Sequence, residues 1–168
     1  HALAVGKSLK GTSELRVDGD SVKRSSDLAR YLPVQVLLPG VIDLVLDGPN
    51  ARREFLDWGL FHVEQGFLEA SKRYRRVLSQ RAAWMKINQQ NSFADDPWVD
   101  QLVAGGVQIG KWRNAFLLEM NDYFQNMLRL LDPSLSCSLA YIDGGYASSE
   151  LEAKEKLSSS FARDLKFG

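Results

Sequence analysis

A run of cationic side chains between residues 71 and 86 is the strongest charge feature of the chain. It contains no acidic residue and six basic ones: Lys72, Arg73, Arg75, Arg76, Arg81 and Lys86. On a helix, several of these side chains share one broad outer side. Such a face can lie along nucleic-acid phosphates and release their counterions. The same pattern also fits a solvated helix face or one that binds an acidic protein surface.

A second pair of cations, Arg52 and Arg53, follows a Gly-Pro start. Proline favours the first turn of a helix, so the pattern predicts a helix that begins at Pro49. Asp57 lies four residues after Arg53, within pairing distance. Trp58 belongs with Phe55, Leu56 and Phe61 to an apolar face of this helix that is predicted to be buried. We interpret Arg52, Arg53, Asp57 and Trp58 as a structural brace between lobes rather than a ligand site. The alternatives are contact of the two arginines with DNA or with a nucleotide-linked loop.

The sequence predicts neither a catalytic nor a metal site. His1 and His62 are far apart, Cys137 is the single cysteine, and no motif orients a nucleophile. Gly6-Lys7-Ser8 ends like a phosphate loop, but the glycine that the motif needs five residues earlier is replaced by His1. A single cysteine excludes an intrachain disulfide and suits a reducing cytoplasm.

The overall composition is that of a soluble globular protein. The chain has 168 residues, with 21 basic and 21 acidic side chains and therefore no formal net charge. A balanced total argues against indiscriminate nucleic-acid binding but leaves room for a local basic patch. No apolar run approaches the ~20 residues of a membrane span, so no membrane association is expected.

Residues 1–48 show mixed α and β patterns. Two short apolar stretches, residues 2–5 and 14–17, are expected to pair, with Asp18-Gly19 as a tight turn before another extended piece. Ser25 or Ser26 is predicted to cap a short helix that ends before Pro33. The apolar run over residues 34–38 predicts a buried strand.

The pattern becomes helical over residues 49–132. After the first helix, apolar spacings predict a long amphipathic helix over about residues 64–90 and a second to about residue 131. Asp95 or Asp96 is expected to cap the second, with Pro97 at its first position. Two long helices joined by a short polar turn form an antiparallel hairpin, which we call the arm. Gly105, Gly106 and Gly110 predict a kink or break in the second helix.

Residues 133–168 return to mixed structure. Serine alternates with apolar residues over 136–142, which predicts a strand, and Asp143-Gly144-Gly145 predicts a turn. Ser149 and Glu152 have capping-box spacing before a last helix whose buried side would hold Leu151, Leu157, Phe161 and Leu165. The expected fold class is α+β, mostly α: a small β-containing head portion, the long helical arm, a short strand and a final helix.

The most distinctive stretch of the chain is GPNARREFLDWGLFH over residues 48–62, and its residue order closely resembles a segment of the RecF family of bacterial recombination mediators. Shorter stretches agree in the same order: Asp18-Gly19, Asp27-Leu28-Ala29, Leu32-Pro33-Val34-Gln35-Val36, Ser79-Gln80-Arg81, Pro97-Trp98 and Trp112-Arg113. Ala82 departs from the family pattern, where asparagine follows Arg81.

The resemblance implies a middle portion of a larger ATPase with a head like those of SMC and Rad50 proteins. Residues 1–48 would be part of the ATPase head, residues 49–132 the arm, and residues 133–168 the return toward the head. The Walker A, signature and Walker B motifs are missing, and the chain begins at His1 rather than methionine. We therefore expect an excised segment that is not an enzyme and binds no cofactor alone, whereas the parent would use ATP and Mg.

The family resemblance also implies partners. It predicts binding of double-stranded DNA near single-strand/double-strand junctions, recruitment of a RecR-type mediator, and ATP-dependent homodimerisation of the parent, so that recombinase loads at gaps. The alternative is a stand-alone helical interaction module that binds an acidic protein. Related ATPases place a nucleotide-sensing glutamine at the exit of a comparable strand, whereas Gln35 lies inside the predicted strand. The Pro39-Gly40 loop also departs from the family pattern, because Gly40 stands where the family tends to have an acidic residue.

Overall fold

The computed structural model describes residues 1–7, 13–34, 43–88, 92–143 and 149–167. Several predicted features therefore lie wholly or largely outside the described residues: Gln35, the Pro39-Gly40 loop, the strand over 34–38 and the turn at Gly144. The chain divides into two compact units, His1–His62 and Val63–Gly168. The sequence predicts a different division, into residues 1–48, 49–132 and 133–168, which is based on expected function and not on contacts. That division stays a prediction.

The first unit contains a three-stranded antiparallel sheet. Its strands are β1 (Leu3–Lys7), β2 (Ser13–Val17) and β3 (Asp20–Val22), paired in the order β1-β2-β3. Both turn residues between β2 and β3 have positive φ, 50° at Asp18 and 93° at Gly19. This is the signature of the type I′ hairpin, which matches the twist of the strands. The predicted pairing of the first two stretches and the Asp-Gly turn are confirmed.

Three helices complete the described part of this unit: α1 (Ser25–Ala29), α2 (Asp43–Leu46) and α3 (Pro49–Val63). Helix α1 begins at Ser25, so its cap position is Arg24 rather than the predicted Ser25 or Ser26. Helix α3 begins at Pro49, as predicted. Its buried residues are Leu56, Gly59 and Leu60, whereas Trp58 is exposed, which differs from the prediction that it faces the interior.

The second unit is a helical arm with one added helix. Helices α4 (Phe67–Ile87) and α5 (Val99–Leu131) form the predicted hairpin, with a short 3-10 helix over Phe93–Asp95 between them, and α6 (Glu150–Phe167) follows. At 1.5 Å per residue α5 is about 50 Å long. Among the described residues, no helix combines the length and apolar character that crossing a bilayer requires.

The hydrophobic core of the second unit joins its three long helices. Side chains from α4, α5 and α6 meet in one cluster, with Phe93 and Trp98 packed against it. The buried members are Val77, Val99, Leu102, Val103, Val107, Ala153 and Leu157. Removing these apolar groups from water stabilises the helix pairs, and each fully buried aliphatic side chain contributes about 1.5–3 kcal/mol.

Helix α5 runs through its glycines without interruption, so a break there is wrong, whereas a kink stays a prediction. The reason is a close approach of α4 at Gly105. A Cβ atom added there would lie 3.0 Å from Cδ2 of Tyr74, which is shorter than ordinary van der Waals contact. Gly105 therefore makes room for the Tyr74 ring, and packing in this unit offsets the low helix propensity of glycine.

The strand predicted over residues 136–142 is not formed. The segment belongs to none of the described strands, and its backbone bonds to a side chain instead: the Leu139 N–H donates to Asn121 Oδ1 at 3.0 Å. The cap of α6 is confirmed, because Glu152 N donates to Ser149 Oγ at 3.2 Å. Leu157 and Phe161 are buried as predicted, whereas Leu151 is exposed.

The close approach at Gly105 predicts the effect of adding a side chain there. Gly105→Val should lower the free energy of unfolding by about 1–3 kcal/mol, the usual cost of overpacking, because the new methyl groups collide with Tyr74. Ala104→Val on the exposed side of the same helix is the matched control and should cost only about 0.5 kcal/mol through helix propensity. Chemical denaturation measures both. Equal stability of the two variants would contradict the tight helix contact.

Candidate nucleic-acid interface

Helix α4 holds the basic run and has one buried side. The buried residues fall at helical spacings and face the core: Phe67, Ser71, Val77, Arg81 and Met85. Buried residues at such spacings form a continuous stripe along one side of a helix. Because this stripe packs in the core of the unit, the rotation of α4 about its axis is set, and with it the side that faces solvent.

The solvent side of α4 is basic. Four of the predicted cations are exposed and a fifth is half-buried; we call these five residues the basic face: Lys72, Arg73, Arg75, Arg76 and Lys86. Glu69 is the one acidic residue of the helix. From Arg73 to Lys86 the face extends about 20 Å along the helix axis, since each residue adds 1.5 Å.

Local hydrogen bonds occupy part of the basic face. Lys72 Nζ lies 2.8 Å from Glu69 Oε1, and Arg75 Nη2 donates to Ser71 Oγ at 3.2 Å. Within the described part of the chain, Arg73, Arg76 and Lys86 form no ion pair or side-chain hydrogen bond. These three groups remain hydrated and can exchange water for an external anion without breaking an internal contact.

Arg81 does not lie on the basic face. Its side chain is 8% exposed, and its Nε donates to Asp96 Oδ2 at 2.6 Å, where the Asp96 side chain is fully buried. Its Nη1 reaches Asp164 Oδ2 at 3.4 Å, and the guanidinium carbon lies 5.8 Å from the centroid of the Phe161 ring. Because its guanidinium is buried in internal contacts, Arg81 is not accessible to an external anion.

Arg81 and its two carboxylates connect α4 with α6 and with the turn before α5. Asp96 Oδ1 also accepts from the backbone N–H of Trp98 at 3.0 Å, and Ser160 Oγ lies 3.1 Å from Asp164 Oδ2. Asp95 or Asp96 was predicted to cap α5, but the helix begins at Val99 with Trp98 at the cap position. The ion pair of Asp96 was not predicted. The partners are 15 and 83 residues from Arg81, so local spacing carries no signal of them.

Tyr74 lies between the basic face and the helix contact. Burial raises the pKa of its hydroxyl, and the nearby Arg113 opposes that rise. The side chain packs against the hydrophobic core and touches the position of Gly105. Tyr74 therefore stays neutral at physiological pH and acts as a packing residue, which leaves the charge of the region to the lysines and arginines.

The predicted brace residues in α3 make local contacts. Arg52 Nη1 donates to the carbonyl oxygens of Leu44, Val45 and Asp47, at 3.2, 3.4 and 2.7 Å. It thereby satisfies carbonyls at the end of α2, where helices lack internal donors. Arg53 donates to Pro49 O at 3.2 Å and to Asn50 Oδ1 at 2.6 Å. A role between lobes stays a prediction for these residues and for Asp57.

Trp58 lines an apolar cleft within the first unit. The cleft has a volume of about 450 Å³ and is lined by Leu3, Val5, Leu28, Ala29, Leu32, Val34, Trp58, Phe61 and His62. The Trp58 ring stacks on Phe55 with centroids 6.4 Å apart and contacts His62 edge-on. The lining lacks charged groups other than the histidine. Among the described residues, no cluster of potential metal ligands is found.

Comparison with curated proteins finds RecF relatives along nearly the whole chain. The DNA replication and repair protein RecF of Stutzerimonas stutzeri is 33% identical over 167 residues, that of Aliivibrio fischeri 32% over 167, and that of Azotobacter vinelandii 31% over 166. Each match covers 99% of this chain and 45% of the relative. The chain thus spans about half the length of the curated relatives it matches.

Solved structures share the fold. The recombination mediator protein RecF-ATP in the RecFOR pathway superposes with a TM-score of 0.77 at 19% identity, over 98% of this chain and 47% of that one. The corresponding RecF-ATPrS structure gives the same TM-score at 18% identity. No protein-family model matches the chain. The resemblance to a segment of RecF that the residues predict is confirmed.

The buried ion pair predicts unequal effects of two aspartates near the start of α5. Asp96→Ala should lower the free energy of unfolding by about 3–5 kcal/mol, because it leaves the Arg81 charge buried without its main partner. The matched control is Asp100→Ala. Asp100 pairs with Lys154 at 2.8 Å, but its side chain is 87% exposed, so the loss should stay below about 1 kcal/mol. Urea unfolding compares them, and similar losses would contradict the buried pair.

Proposed function

We propose that this RecF-like segment contributes a DNA-contacting arm to a DNA repair protein, and that the basic face of α4 binds the phosphates of double-stranded DNA. One observation carries the proposal: Arg73, Arg76 and Lys86 project from one side of a helix with no internal partner in the described structure. Unpaired cations on a rigid element can approach a row of phosphates without rearrangement. The similarity to RecF supports DNA as the partner.

Phosphate contact explains binding without base recognition. Each lysine or arginine that neutralises a phosphate releases condensed counterions, and the affinity then falls with salt concentration. A row of such contacts about 20 Å long fixes the position of the arm on the duplex but reads no sequence. Sequence-independent binding suits a protein that acts at gaps wherever they occur.

The burial of the aromatic residues of α4 favours binding of double-stranded rather than single-stranded DNA. Proteins that bind single strands stack the bases on exposed aromatic rings. In α4, Phe67 is buried, and Tyr74 and Trp84 are half-buried. The basic face therefore offers cations without a stacking surface, which fits the stacked bases and outward phosphates of a double helix.

The charge of the whole chain shows that this face is a local feature. Basic and acidic residues are equal in number, at 21 each, so the chain has no general attraction for nucleic acid. A local cationic face in a neutral protein directs DNA to one side of the arm. This arrangement suits an arm that must place DNA in a defined orientation.

The remaining functions belong to our proposal for the parent protein. We assign ATP and Mg binding, ATP hydrolysis and ATP-dependent dimerisation to parts of a RecF-like polypeptide other than this segment, which carries no phosphate loop. One structure with the same fold is a RecF-ATP structure in the RecFOR pathway. Its ATP and its pathway support a nucleotide-dependent parent that acts with a RecR-type mediator. We further propose that this parent helps to load recombinase at gaps in the bacterial cytoplasm.

DNA binding by the basic face can be tested with a charge-matched pair of variants. The triple variant Arg73→Ala, Arg76→Ala and Lys86→Ala should weaken duplex binding. The slope of log affinity against log salt concentration should be less negative than that of the unmodified chain by about 2 to 3. The reason is that each lost phosphate contact removes about 0.9 from the magnitude of the slope. Fluorescence anisotropy with a labelled duplex at several salt concentrations measures both quantities.

The control removes the same charge from other helices: Lys111→Ala, Lys156→Ala and Arg163→Ala, all at exposed positions. Its salt slope should equal that of the unmodified chain. Equal loss in both triple variants would show a general charge effect and contradict the proposed face. If the chain binds no duplex at any salt, and Arg73→Glu instead abolishes binding to an acidic protein, the basic face serves as a protein-binding surface.

A further inference from the structure

One carboxylate lies on the solvent side of α4 among the cations of the basic face. It belongs to Glu69, the single acidic residue of this helix, whose side chain is 69% exposed. Each helical residue turns the side-chain direction by about 100°, so Glu69 and Arg76 differ in direction by about 20° and Glu69 and Arg73 by about 40°. Glu69 therefore shares the side of the helix that faces DNA in the proposed function.

Glu69 offsets two positive features at the beginning of α4. Its Oε1 lies 2.8 Å from Lys72 Nζ, so these two side chains form an electrically neutral pair. It also lies in the first turn of the helix, where the helix dipole is positive. An ammonium group and a helix N-terminus would together attract a phosphate, and the carboxylate opposes that attraction.

We propose that Glu69 limits the part of the basic face that contacts DNA, because it neutralises Lys72. This inference rests on the proposed binding of duplex DNA by α4. The pair of Glu69 with Lys72 has no net charge, so a phosphate beside it displaces no counterion. The duplex then gains its charge contacts from Arg73 toward Lys86, and none at the N-terminal end of α4.

The consequence is an affinity lower than the whole basic run would give. The Glu69 carboxylate and a DNA phosphate compete for the same ammonium group of Lys72, and the two anions repel each other. An exposed ion pair is weak, so it adjusts binding and does not prevent it. Moderate, salt-sensitive contact with phosphates lets a protein move along a duplex.

A purely structural role of Glu69 would have a different signature. An acidic residue in the first turn and an ion pair three residues apart both stabilise a helix slightly. Their loss would lower the thermal stability but leave the affinity for DNA unchanged. Glu69→Gln removes the charge and keeps the size and one accepting oxygen, so it separates the two roles.

A double-mutant cycle with Lys72 tests the inference by fluorescence anisotropy with a labelled duplex. Glu69→Gln should raise the affinity about two- to fivefold at low salt, the range that an exposed ion pair gives. The salt slope should become more negative by about 0.9, because Lys72 gains a phosphate contact. In a Lys72→Ala background, Glu69→Gln should leave the slope unchanged.

The matched control is Glu155→Gln, which removes an exposed carboxylate from α6. Its affinity and salt slope should equal those of the unmodified chain. Equal gains in Glu69→Gln and Glu155→Gln, no change of slope in Glu69→Gln, or the same change of slope with and without Lys72 would each overturn the inference.

The same titrations distinguish this failure from failure of the proposed function. If the unmodified chain binds duplex and the triple variant at Arg73, Arg76 and Lys86 binds more weakly, the proposed function stands and any of the three outcomes above overturns the role of Glu69 alone. If the unmodified chain binds no duplex, or the triple variant binds equally well, the proposed function and the role of Glu69 are both overturned.

Discussion

The packing of α4 against its neighbours determines which of its cations can meet an external ligand. Val77 lies in the core, Tyr74 packs against it, and Gly105 allows the close approach of α5. These contacts set the rotation of α4 about its own axis. Arg76 and Arg81 are five residues apart, which rotates one about 140° from the other. One guanidinium therefore faces water and the other faces two carboxylates.

The burial of Arg81 imposes a second constraint on the same helices. A buried guanidinium is tolerated only with anionic partners, and Asp96 and Asp164 supply them from outside α4. Loss of the Asp96 contact would leave the buried charge without its main partner. The ion pair therefore makes the hairpin and α6 one unit, and it presents the basic face on a rigid support rather than on a mobile helix.

Local patterns in the sequence predicted much of this architecture, because they depend on near neighbours. The Asp18-Gly19 turn, the Pro49 helix start, the two long helices and the Ser149 cap all follow from residues within a few positions.

Features that depend on distant residues were missed. Glycine propensity predicted a break in α5, but the Tyr74 ring needs Gly105. Alternation predicted a strand over 136–142, yet a strand needs a partner that local spacing cannot show. The basic run was predicted. The burial of Arg81, which takes it out of the exposed basic face, was not predicted, because it depends on Asp164, 83 residues away.

We propose that Arg73 and Arg76 contact DNA while Arg81 stays buried, so the three arginines should differ in their reactivity. This can be measured by modification with an arginine-specific dicarbonyl reagent, with and without duplex DNA, followed by mass spectrometry. We expect fast modification of Arg73 and Arg76, protection of both by DNA, and no modification of Arg81 in either sample. Rapid reaction of Arg81, or no protection of Arg73 and Arg76 at saturating DNA, would rule this arrangement out.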